Sequence, residues 1–389
     1  MNKEPLSQNE LYIGREQTWV KHQILRKYLQ RFARIIGRSW DAITYVDCFS
    51  GPWQEESDDF RDTSFSIALE ELRKARADLA NENPKLKLRC LFLEKKKSSY
   101  KKLEQYAESV KGDDEIVTLN SAVEDSIDAI VSFTKKGGFP FIFIDPTGWT
   151  GFGMDAITPL LKITPGEVLI NFMTGDIRRF LESPDEATKE SLIRLFGSDS
   201  YRNKVQGRRG QDREDAVVAA YAEEIAKRGK FEYTPSAIAL RGEADRTRFH
   251  LIYATRHWKG LEVFKEAEKK AMEEMQPIRA EAHKRKRTSS QGELFEPEIL
   301  HGSLYYDQLR ERHLAKAKEK VIRLLQAKGR TFYDGVWTVA LQEPLVWESD
   351  LKQWIGDWGK KGLLSIEGLK SSRHALKHGQ GHSIIWRTA

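Results

Sequence analysis

The sequence predicts an α/β protein with a doubly wound parallel sheet, followed by a smaller C-terminal unit. Three observations support this prediction. Short apolar strands alternate with helical stretches up to residue 172, two of those strands end at an aspartate followed by a glycine-containing bend, and the pattern changes near residue 301. A chain of 389 residues is long enough for one large domain and one smaller domain.

The first element is a predicted helix over residues 16–36. Its apolar side chains recur at helical spacing, at Val20, Ile24, Phe32 and Ile36 among others, so one face is expected to be buried. Further helices are predicted over 64–74 and 95–110. Five strands are predicted in the order "AITYVDCF", "LKLRCLFLE", "EIVTLNSAVED", "FPFIFIDPTG" and "GEVLINF". The fourth strand is the most apolar, which is typical of the middle of a parallel sheet.

After the fifth strand the alternation stops. A polar helical insertion is predicted at about 173–212 and a helix at 213–229, and then "FEYTPSAIAL" and "RFHLIYATRH" follow with no helix between them. Two consecutive strands indicate a hairpin, so the last strand is expected to enter the sheet antiparallel. This pattern predicts a doubly wound, Rossmann-like sheet with a closing antiparallel strand, and it assigns residues 1–275 to one domain.

The C-terminal unit has a different pattern. Residues 276–300 contain the polar stretch "HKRKRTSSQGELFEPE" and are predicted to be a linker with few contacts across it. Residues 301–389 read as helix, helix, strand, loop and strand. That order predicts a winged helix-turn-helix domain.

The composition is that of a soluble globular chain, with 40% hydrophobic and 31% charged residues. The net charge of +6 is a mild basic bias that suits nucleic acid as a partner. The two cysteines, Cys48 and Cys90, lie in apolar strand-like stretches, which favours a reducing compartment over a disulfide framework. With no signal peptide and no membrane span in the sequence, the expected location is cytoplasmic.

Two strand ends predict the functional site. Asp47 in "YVDCFSGPW" and Asp145 in "FIFIDPTGWTGFG" end their strands, and a glycine follows where the backbone can approach a ligand. Glu94 ends the second strand, where an acid is well placed to accept hydrogen bonds from ribose hydroxyls. The pyrophosphate-binding motif G-x-G-x-x-G is absent, and only Gly51, followed by a proline, is present.

A nucleoside ligand without phosphates therefore fits best, and S-adenosylmethionine is the expected cofactor. Its methionine end is expected near Asp47, Phe49 and Gly51. Its adenine is expected near the bend at Asn120 and Ser121. Asp145 would face both the sulfonium and the methyl acceptor.

Each site residue also has a structural interpretation. Asp47 also fits the pattern of a turn cap, and Glu94 that of the first charge in the surface run "EKKK". Asp145 is harder to explain in this way, because a carboxylate at the end of so apolar a strand is desolvated unless it is used or capped.

A set of segments resembles the three-Cys-motif partner (TcmP) proteins, which have a methyltransferase-like Rossmann core. The resemblance covers about residues 10–275 and implies the same order of elements. It also implies a separate partner protein that carries the three cysteines. The segments are "VKHQILRKYL", "YVDCFSGPW", "TSFSIAL", "LFLEKKKSSYKKL", "FIFIDPTGWTGF" and "LIYATRHWKGL".

The stretch "IDPTG" also resembles the Asp-Pro-Pro-Tyr motif of adenine-N6 methyltransferases. By that resemblance, the Asp145 side chain and the Pro146 carbonyl hold an amino group, while stacking on the base requires Trp149 to turn in. The other interpretation is that Trp149 packs against the protein. The K-x-x-I-L pattern of the resembling family assigns a site role to Lys21 rather than to its neighbour His22, because adjacent helical residues point about 100° apart.

The last twenty residues carry basic side chains without an acid. Lys370, Arg373, Lys377 and Arg387 are predicted to contact a phosphate backbone, although a winged helix also serves as a protein-contact module.

Three functions follow from these patterns. The first is an S-adenosylmethionine-dependent methyltransferase acting on DNA or RNA, with the winged helix positioning the substrate and no metal. The second is a non-catalytic DNA-binding partner subunit on a methyltransferase-like scaffold, in a phage-defence or mobile-element system. The third, a nucleotide-binding oxidoreductase, is disfavoured by the missing glycine motif.

Overall fold

The computed structural model describes residues 10–51, 60–290, 301–369 and 375–387. Two 3₁₀ turns are present at Glu10–Tyr12 and Glu124–Ser126. The helices are α1 (Glu16–Gly37), α2 (Ser64–Asp78), α3 (Lys97–Val110), α4 (Ile127–Lys135), α5 (Met154–Leu161), α6 (Thr174–Phe180), α7 (Glu186–Phe196), α8 (Tyr201–Val205), α9 (Gly210–Gly229), α10 (Trp258–Ser290), α11 (His301–Lys328), α12 (Tyr333–Leu341) and α13 (Glu348–Lys360). The strands are β1 (Ala42–Asp47), β2 (Lys87–Leu93), β3 (Glu115–Leu119), β4 (Phe139–Ile144), β5 (Glu167–Phe172), β6 (Ser236–Leu240), β7 (Thr247–Ala254), β8 (Arg330–Phe332), β9 (Leu364–Glu367) and β10 (Ser383–Trp386).

Seven strands form one sheet in the order β3-β2-β1-β4-β5-β7-β6. Neighbouring strands from β3 to β5 pair in parallel, and β7 pairs antiparallel with both β5 and β6. The predicted doubly wound sheet and its closing antiparallel strand are therefore confirmed. This mixed α/β arrangement is consistent with a Rossmann-like, methyltransferase-type fold.

Alternate residues of the central strands face two separate apolar layers. In β1, Tyr45 packs into the layer formed with α1, α2 and α10, whereas Val46 packs into the layer formed with α5 and α9. Phe141 and Ile142 divide in the same way in β4. Since both faces are covered, these strands read as continuous apolar runs in the sequence.

The ends of the strands form two opposite sides of the sheet, which are described here as its edges. The carboxyl ends of β1, β4 and β5 share one edge, and the first residues of antiparallel β7 lie there too, because Phe172 pairs with His250. The opposite edge carries the first residues of the parallel strands and the end of β7, where Val168 pairs with Ala254. The two are here called the carboxyl edge and the amino edge.

One of the predicted irregular segments folds as expected and the other does not. The insertion at 173–212 does fold as helices, namely α6, α7 and α8. The predicted linker over 276–300 is wrong for residues 276–290, because α10 continues through Pro277 to Ser290. Its remaining residues, 291–300, lie outside the described part of the chain.

The C-terminal unit runs through α11, β8, α12, α13, β9 and β10. Its three strands form an antiparallel sheet in the order β8-β10-β9. Val321, Leu325, Trp337, Ile355 and Ile384 are fully or almost fully buried and form an apolar cluster between the helices and this sheet.

The contacts between this unit and the rest of the chain are extensive, so the expectation of few crossing contacts is wrong. Leu261 of α10 is fully buried within the apolar cluster of the C-terminal unit. Lys265 and Glu268 form a buried ion pair on α10. Lys265 Nζ donates to the carbonyl of Glu343 at 2.9 Å, and Leu345 N donates to Glu268 Oε1 at 3.0 Å.

These contacts attach the C-terminal unit near the amino edge of the large sheet. Thr234, which precedes β6, donates its backbone N–H to Gln342 at 3.3 Å. Trp258, which follows β7, stacks on His378 with 4.5 Å between ring centroids, and His378 also packs on Trp337. Among the helices of the described ranges, none combines the length and apolar character that a membrane span requires.

We expect Leu261→Ala to lower the free energy of unfolding by about 2–5 kcal/mol, because it leaves a cavity between the two units. Leu304→Ala is the matched control, since Leu304 is 47% exposed, and it should change stability by less than about 0.5 kcal/mol. Urea unfolding of both variants measures this. Equal, small effects would show that the two units do not depend on each other for stability.

Candidate functional site

A cavity of about 290 Å³ opens at the carboxyl edge of the large sheet. Its walls come from the start of α1, the loop after β1, the start of α2, the ends of β4 and β5 and the start of β7. The lining residues are Arg15, Gln17, Thr18, Lys21, His22, Phe49, Gly51, Asp62, Thr63, Ser64, Asp145, Pro146, Thr147, Asn171, Met173, Arg248 and Phe249.

Lys21 and Asp145 form an ion pair in the cavity wall. Lys21 Nζ donates to Asp145 Oδ2 at 2.5 Å, and each side chain is 12% exposed. Asn171 Nδ2 donates to the other carboxylate oxygen, Asp145 Oδ1, at 2.7 Å. The Asp145 carboxylate is thus held by Lys21 of α1 on one side and by Asn171 of the neighbouring strand β5 on the other. Lys21, Asp145 and Pro146, three of the predicted site residues, all line this cavity.

Asn171 is a site residue that the sequence reasoning missed. It is only 3% exposed, and its Oδ1 has no hydrogen-bond partner among the described residues. A flipped amide would turn this oxygen towards Asp145 Oδ1, which only accepts as a carboxylate, so the orientation is fixed by the network. The signal in the sequence was one amide within the apolar run "GEVLINF".

His22 also lines the cavity, although sequence reasoning favoured Lys21 alone. Its Nδ1 lies 2.9 Å from the hydroxyl of Tyr12, and its side chain is buried. Burial lowers the pKa of His22 well below its usual range, and the positive charge of Lys21 is the second cause. A neutral imidazole that holds Tyr12 is therefore part of the wall.

Asp47 does not line the cavity, contrary to expectation. Its side chain is fully buried behind the wall and accepts hydrogen bonds from Ser64 Oγ at 2.6 Å and from Phe49 N at 3.1 Å. Burial raises the pKa of Asp47 to about 6. Asp47 thus fixes the loop after β1, and it is Phe49 and Gly51 in that loop that reach the cavity.

Glu94, Asn120 and Ser121 follow β2 and β3 at the same carboxyl edge, but outside the lining of this cavity. Glu94 is 3% exposed, and burial raises its pKa. Its Oε1 accepts from Lys96 N at 2.5 Å, and its other oxygen has no partner in the described part of the chain. Asn120 Nδ2 donates to the carbonyls of Glu94 and Lys95 at 2.8 and 3.1 Å, so it fixes the bend that follows β2.

Trp149 is turned away from the cavity. Its indole N–H donates to Ser191 Oγ at 3.1 Å, and its ring packs on Phe180 with 4.8 Å between centroids. The interpretation of Trp149 as a stacking residue over the cavity is wrong for this conformation, because α6 and α7 of the insertion provide the partners that hold the ring.

The predicted nucleic-acid contacts lie in the C-terminal unit. Lys377 and Arg387 are exposed, whereas Lys370 and Arg373 lie outside the described residues. His378, next to Lys377, stacks on Trp258 at the amino edge, away from the cavity. Strands of six residues separate the two edges by roughly 20 Å. Within the described ranges, no cluster of three or more His, Cys, Asp or Glu side chains is arranged to hold a metal ion.

No protein-family model and no curated protein matches this chain. Similar solved structures include loganic acid methyltransferase with SAH, at 9% identity and a TM-score of 0.31, covering 74% of this chain and 92% of that one. SAH-bound methyltransferase PaMTH1 from Podospora anserina has 9% identity and a TM-score of 0.30, covering 65% and 90%. PKMT2 from Rickettsia typhi has 10% identity and a TM-score of 0.27, covering 62% and 56%. The fold assignment rests on the strand order.

We expect Asp47→Asn to stabilise the protein more at pH 7.5 than at pH 5. The folded-state pKa of about 6 exceeds the usual 3.8, so the ionised form is disfavoured by folding. The loss of wild-type stability that comes from ionised Asp47 in the folded state therefore grows as pH rises from about 4 to above 6. Asparagine can still accept from Phe49 N and donate to Ser64. The difference in unfolding free energy between variant and wild type should grow by about 1 kcal/mol over this range, measured by urea unfolding. A difference that stays constant with pH would contradict the raised pKa.

Proposed function

We propose that this chain is an S-adenosylmethionine-dependent methyltransferase that acts on an amino nitrogen of a nucleic-acid base. The observation that carries the proposal is the unpartnered Asn171 Oδ1 beside the Asp145 carboxylate, in a cavity at the carboxyl edge. In sheets of this kind, ligands bind outside the carboxyl ends of the strands.

The residues at this edge fit the cofactor. Phe49 and Gly51 form a close wall after β1 for its amino-acid end, and Glu94 presents a buried carboxylate oxygen to its ribose hydroxyls. We place the adenine beside the bend at Asn120, which follows β3 at the same edge. When bound, S-adenosylmethionine supplies an electrophilic methyl group on a sulfonium.

The acceptor side of the site is suited to an amine. An amino group is a donor, and the Asp145 carboxylate, the Asn171 Oδ1 atom and the Pro146 carbonyl are all acceptors in the same wall. Lys21 and Asn171 hold the carboxylate from both sides, so its orientation is set before a substrate binds. Methyl transfer needs mainly alignment of nucleophile and methyl carbon, and these contacts would provide it.

The sequence resemblance supports a finer proposal, that the chain is a three-Cys-motif partner protein. We also propose that α11, β8, α12, α13, β9 and β10 form a winged helix domain, because helix, strand, two helices and a two-stranded hairpin follow in that order. The surface around Lys377 and Arg387 remains its predicted nucleic-acid contact.

A second function is favoured by one observation. The part of the C-terminal unit that contains Gln342 and His378 packs near the amino edge, away from the cavity, which suits a DNA-binding partner subunit whose Rossmann-like core is only a scaffold. In that case S-adenosylmethionine would not bind, and no methyl group would be transferred.

We expect Asp145→Ala to reduce methyl transfer by at least about a hundredfold, because the acceptor amine loses its orienting carboxylate. Asp145→Asn should be milder, since it keeps an acceptor oxygen. The assay is tritium transfer from labelled S-adenosylmethionine to total DNA and total RNA. Asp128→Ala, an exposed aspartate on α4, is the control and should retain activity. Equal transfer by wild type and Asp145→Ala would refute the role of Asp145, and no transfer by either would favour the scaffold function.

We expect Glu94→Ala to weaken S-adenosylmethionine binding by roughly tenfold or more, since charge-assisted hydrogen bonds to the ribose are lost. Glu108→Ala on the exposed face of α3 is the matched control, because the Glu108 side chain is 68% exposed. Calorimetric titration gives both dissociation constants. If the two variants bind the cofactor equally well, Glu94 serves only to hold the Lys96 backbone.

A further inference from the structure

Three arginines lie together on the β6–β7 hairpin, beside the cavity. Arg241 follows β6, Arg246 precedes β7 and Arg248 is in β7, where it lines the cavity. The backbone N–H of Arg241 donates to the carbonyl of Arg246 at 3.0 Å, so the hairpin closes and brings these residues together. Arg179 of α6 joins them across the start of β7. These four residues are here called the arginine rim.

The arginine rim has more positive charge than its neighbours neutralise. Arg248 pairs with Asp176 at 3.0 Å, and the same carboxylate lies 3.9 Å from Arg179. In the described part of the chain, the guanidinium groups of Arg241 and Arg246 have neither a hydrogen bond nor an ion pair. Burial, followed by repulsion from Arg246, Arg248 and Arg179, lowers the pKa of Arg241.

Arg241 differs from the rest of the rim in its buried side-chain donor. Its Nε is buried and has no hydrogen-bond partner among the described residues. An unpaired buried donor destabilises the folded protein, and an anionic ligand that accepts a hydrogen bond from Nε would remove this destabilisation.

The end of α10 brings further basic residues to the same edge. Arg285 pairs with Glu16 at 2.5 Å, next to Arg15 of the cavity wall, and Lys286 Nζ donates to the carbonyl of Glu243 at 3.1 Å. The stretch "HKRKR", which the sequence suggested was part of a linker, thus lies within α10 and contacts the hairpin through Lys286.

Acidic groups in this region are mostly engaged. Glu16 is buried against Arg285, Asp62 pairs with Arg15 at 2.7 Å, and Asp245 pairs with Arg279 at 3.0 Å. Glu243 in the hairpin is exposed. The surface presented to a ligand is therefore basic.

We propose that the arginine rim binds the phosphate backbone of nucleic acid and places a base at the cavity. This inference rests on the proposed function for its purpose, although the binding itself does not need the cofactor. The rim adjoins the cavity through Arg248, whereas Lys377 and Arg387 belong to the unit at the amino edge.

Nucleic acid is favoured over an acidic protein by two features. Guanidinium groups match phosphate oxygens with paired, planar hydrogen bonds, and the two groups without partners are both arginines. At the same edge, α6 continues from Arg179 to Phe180, which is 36% exposed and packs at a tilt against the partly buried Trp149. Basic groups next to an exposed aromatic ring are typical of surfaces that bind single-stranded nucleic acid.

The test compares two double variants of equal charge change, Arg241→Gln/Arg246→Gln and Lys377→Gln/Arg387→Gln. Fluorescence anisotropy would give the affinity for single-stranded DNA and RNA of about 20 nucleotides at several salt concentrations, without cofactor. We expect the rim variant to bind about tenfold more weakly, with the slope of log affinity against log salt reduced by roughly one. The control pair should change both quantities less. Arg246→Gln alone, at an exposed position, should show part of the loss if the double variant folds poorly.

The outcomes separate this inference from the proposed function. The proposal that the arginine rim binds nucleic acid would be refuted by unchanged nucleic-acid affinity in the rim variants, or by a larger loss of affinity in the control pair. Preferential binding of poly-glutamate over DNA and RNA would also overturn it, in favour of an acidic protein partner. A loss of nucleic-acid affinity in a protein that binds no S-adenosylmethionine in calorimetry would support the rim and refute the methyltransferase.

Discussion

The ion pair between Lys21 and Asp145 links the main parts of the site. It joins α1 to the end of β4, and Asn171 extends the link to β5. Each of the two charged side chains is 12% exposed, so each is poorly solvated and depends on the other. Because α1 also packs along α2 and α10, the position of Lys21, and with it the orientation of Asp145, is set by the core of the large domain.

The two ends of the large sheet have different roles in this account. The carboxyl edge carries the cavity, the Asp145 network and the arginine rim. The amino edge carries the part of the C-terminal unit after α11, attached through Leu261, Lys265 and the Trp258–His378 stack, whereas the start of α11 packs on α9, where Gln211 Nε2 donates to the Tyr305 hydroxyl at 3.3 Å. A single nucleic acid that used both surfaces would have to extend along the sheet by roughly 20 Å or more. The C-terminal unit therefore suits a contact with distant sequence or with another protein, while the rim is placed to hold the reacting segment.

Much of the fold was predictable because the strands are buried on both faces and separated by clear helical periods. The aspartate ends of β1 and β4 also located the functional edge. The sequence could not show that the Asp47 side chain turns inward to Ser64 or that Trp149 turns to Ser191, because both depend on residues far along the chain. The 276–290 segment was misread as a linker for a related reason. Its basic residues are solvated on one side of the helix, but Arg279 and Ala282 of the same helix are fully buried. Because the segment is polar overall, its composition does not reveal that buried face.

The most direct test of the central claim is a crystal structure of the protein with S-adenosylhomocysteine. We expect the ligand to lie at the carboxyl edge, with its ribose hydroxyls on Glu94 and its amino-acid end at the Phe49–Gly51 loop, on the side of Asp145. Binding elsewhere on the chain, or no bound ligand at millimolar concentration in crystals whose cavity is open, would contradict it. In that event the methyltransferase-type sheet would be a scaffold, and the arginine rim would have to be explained without a reaction.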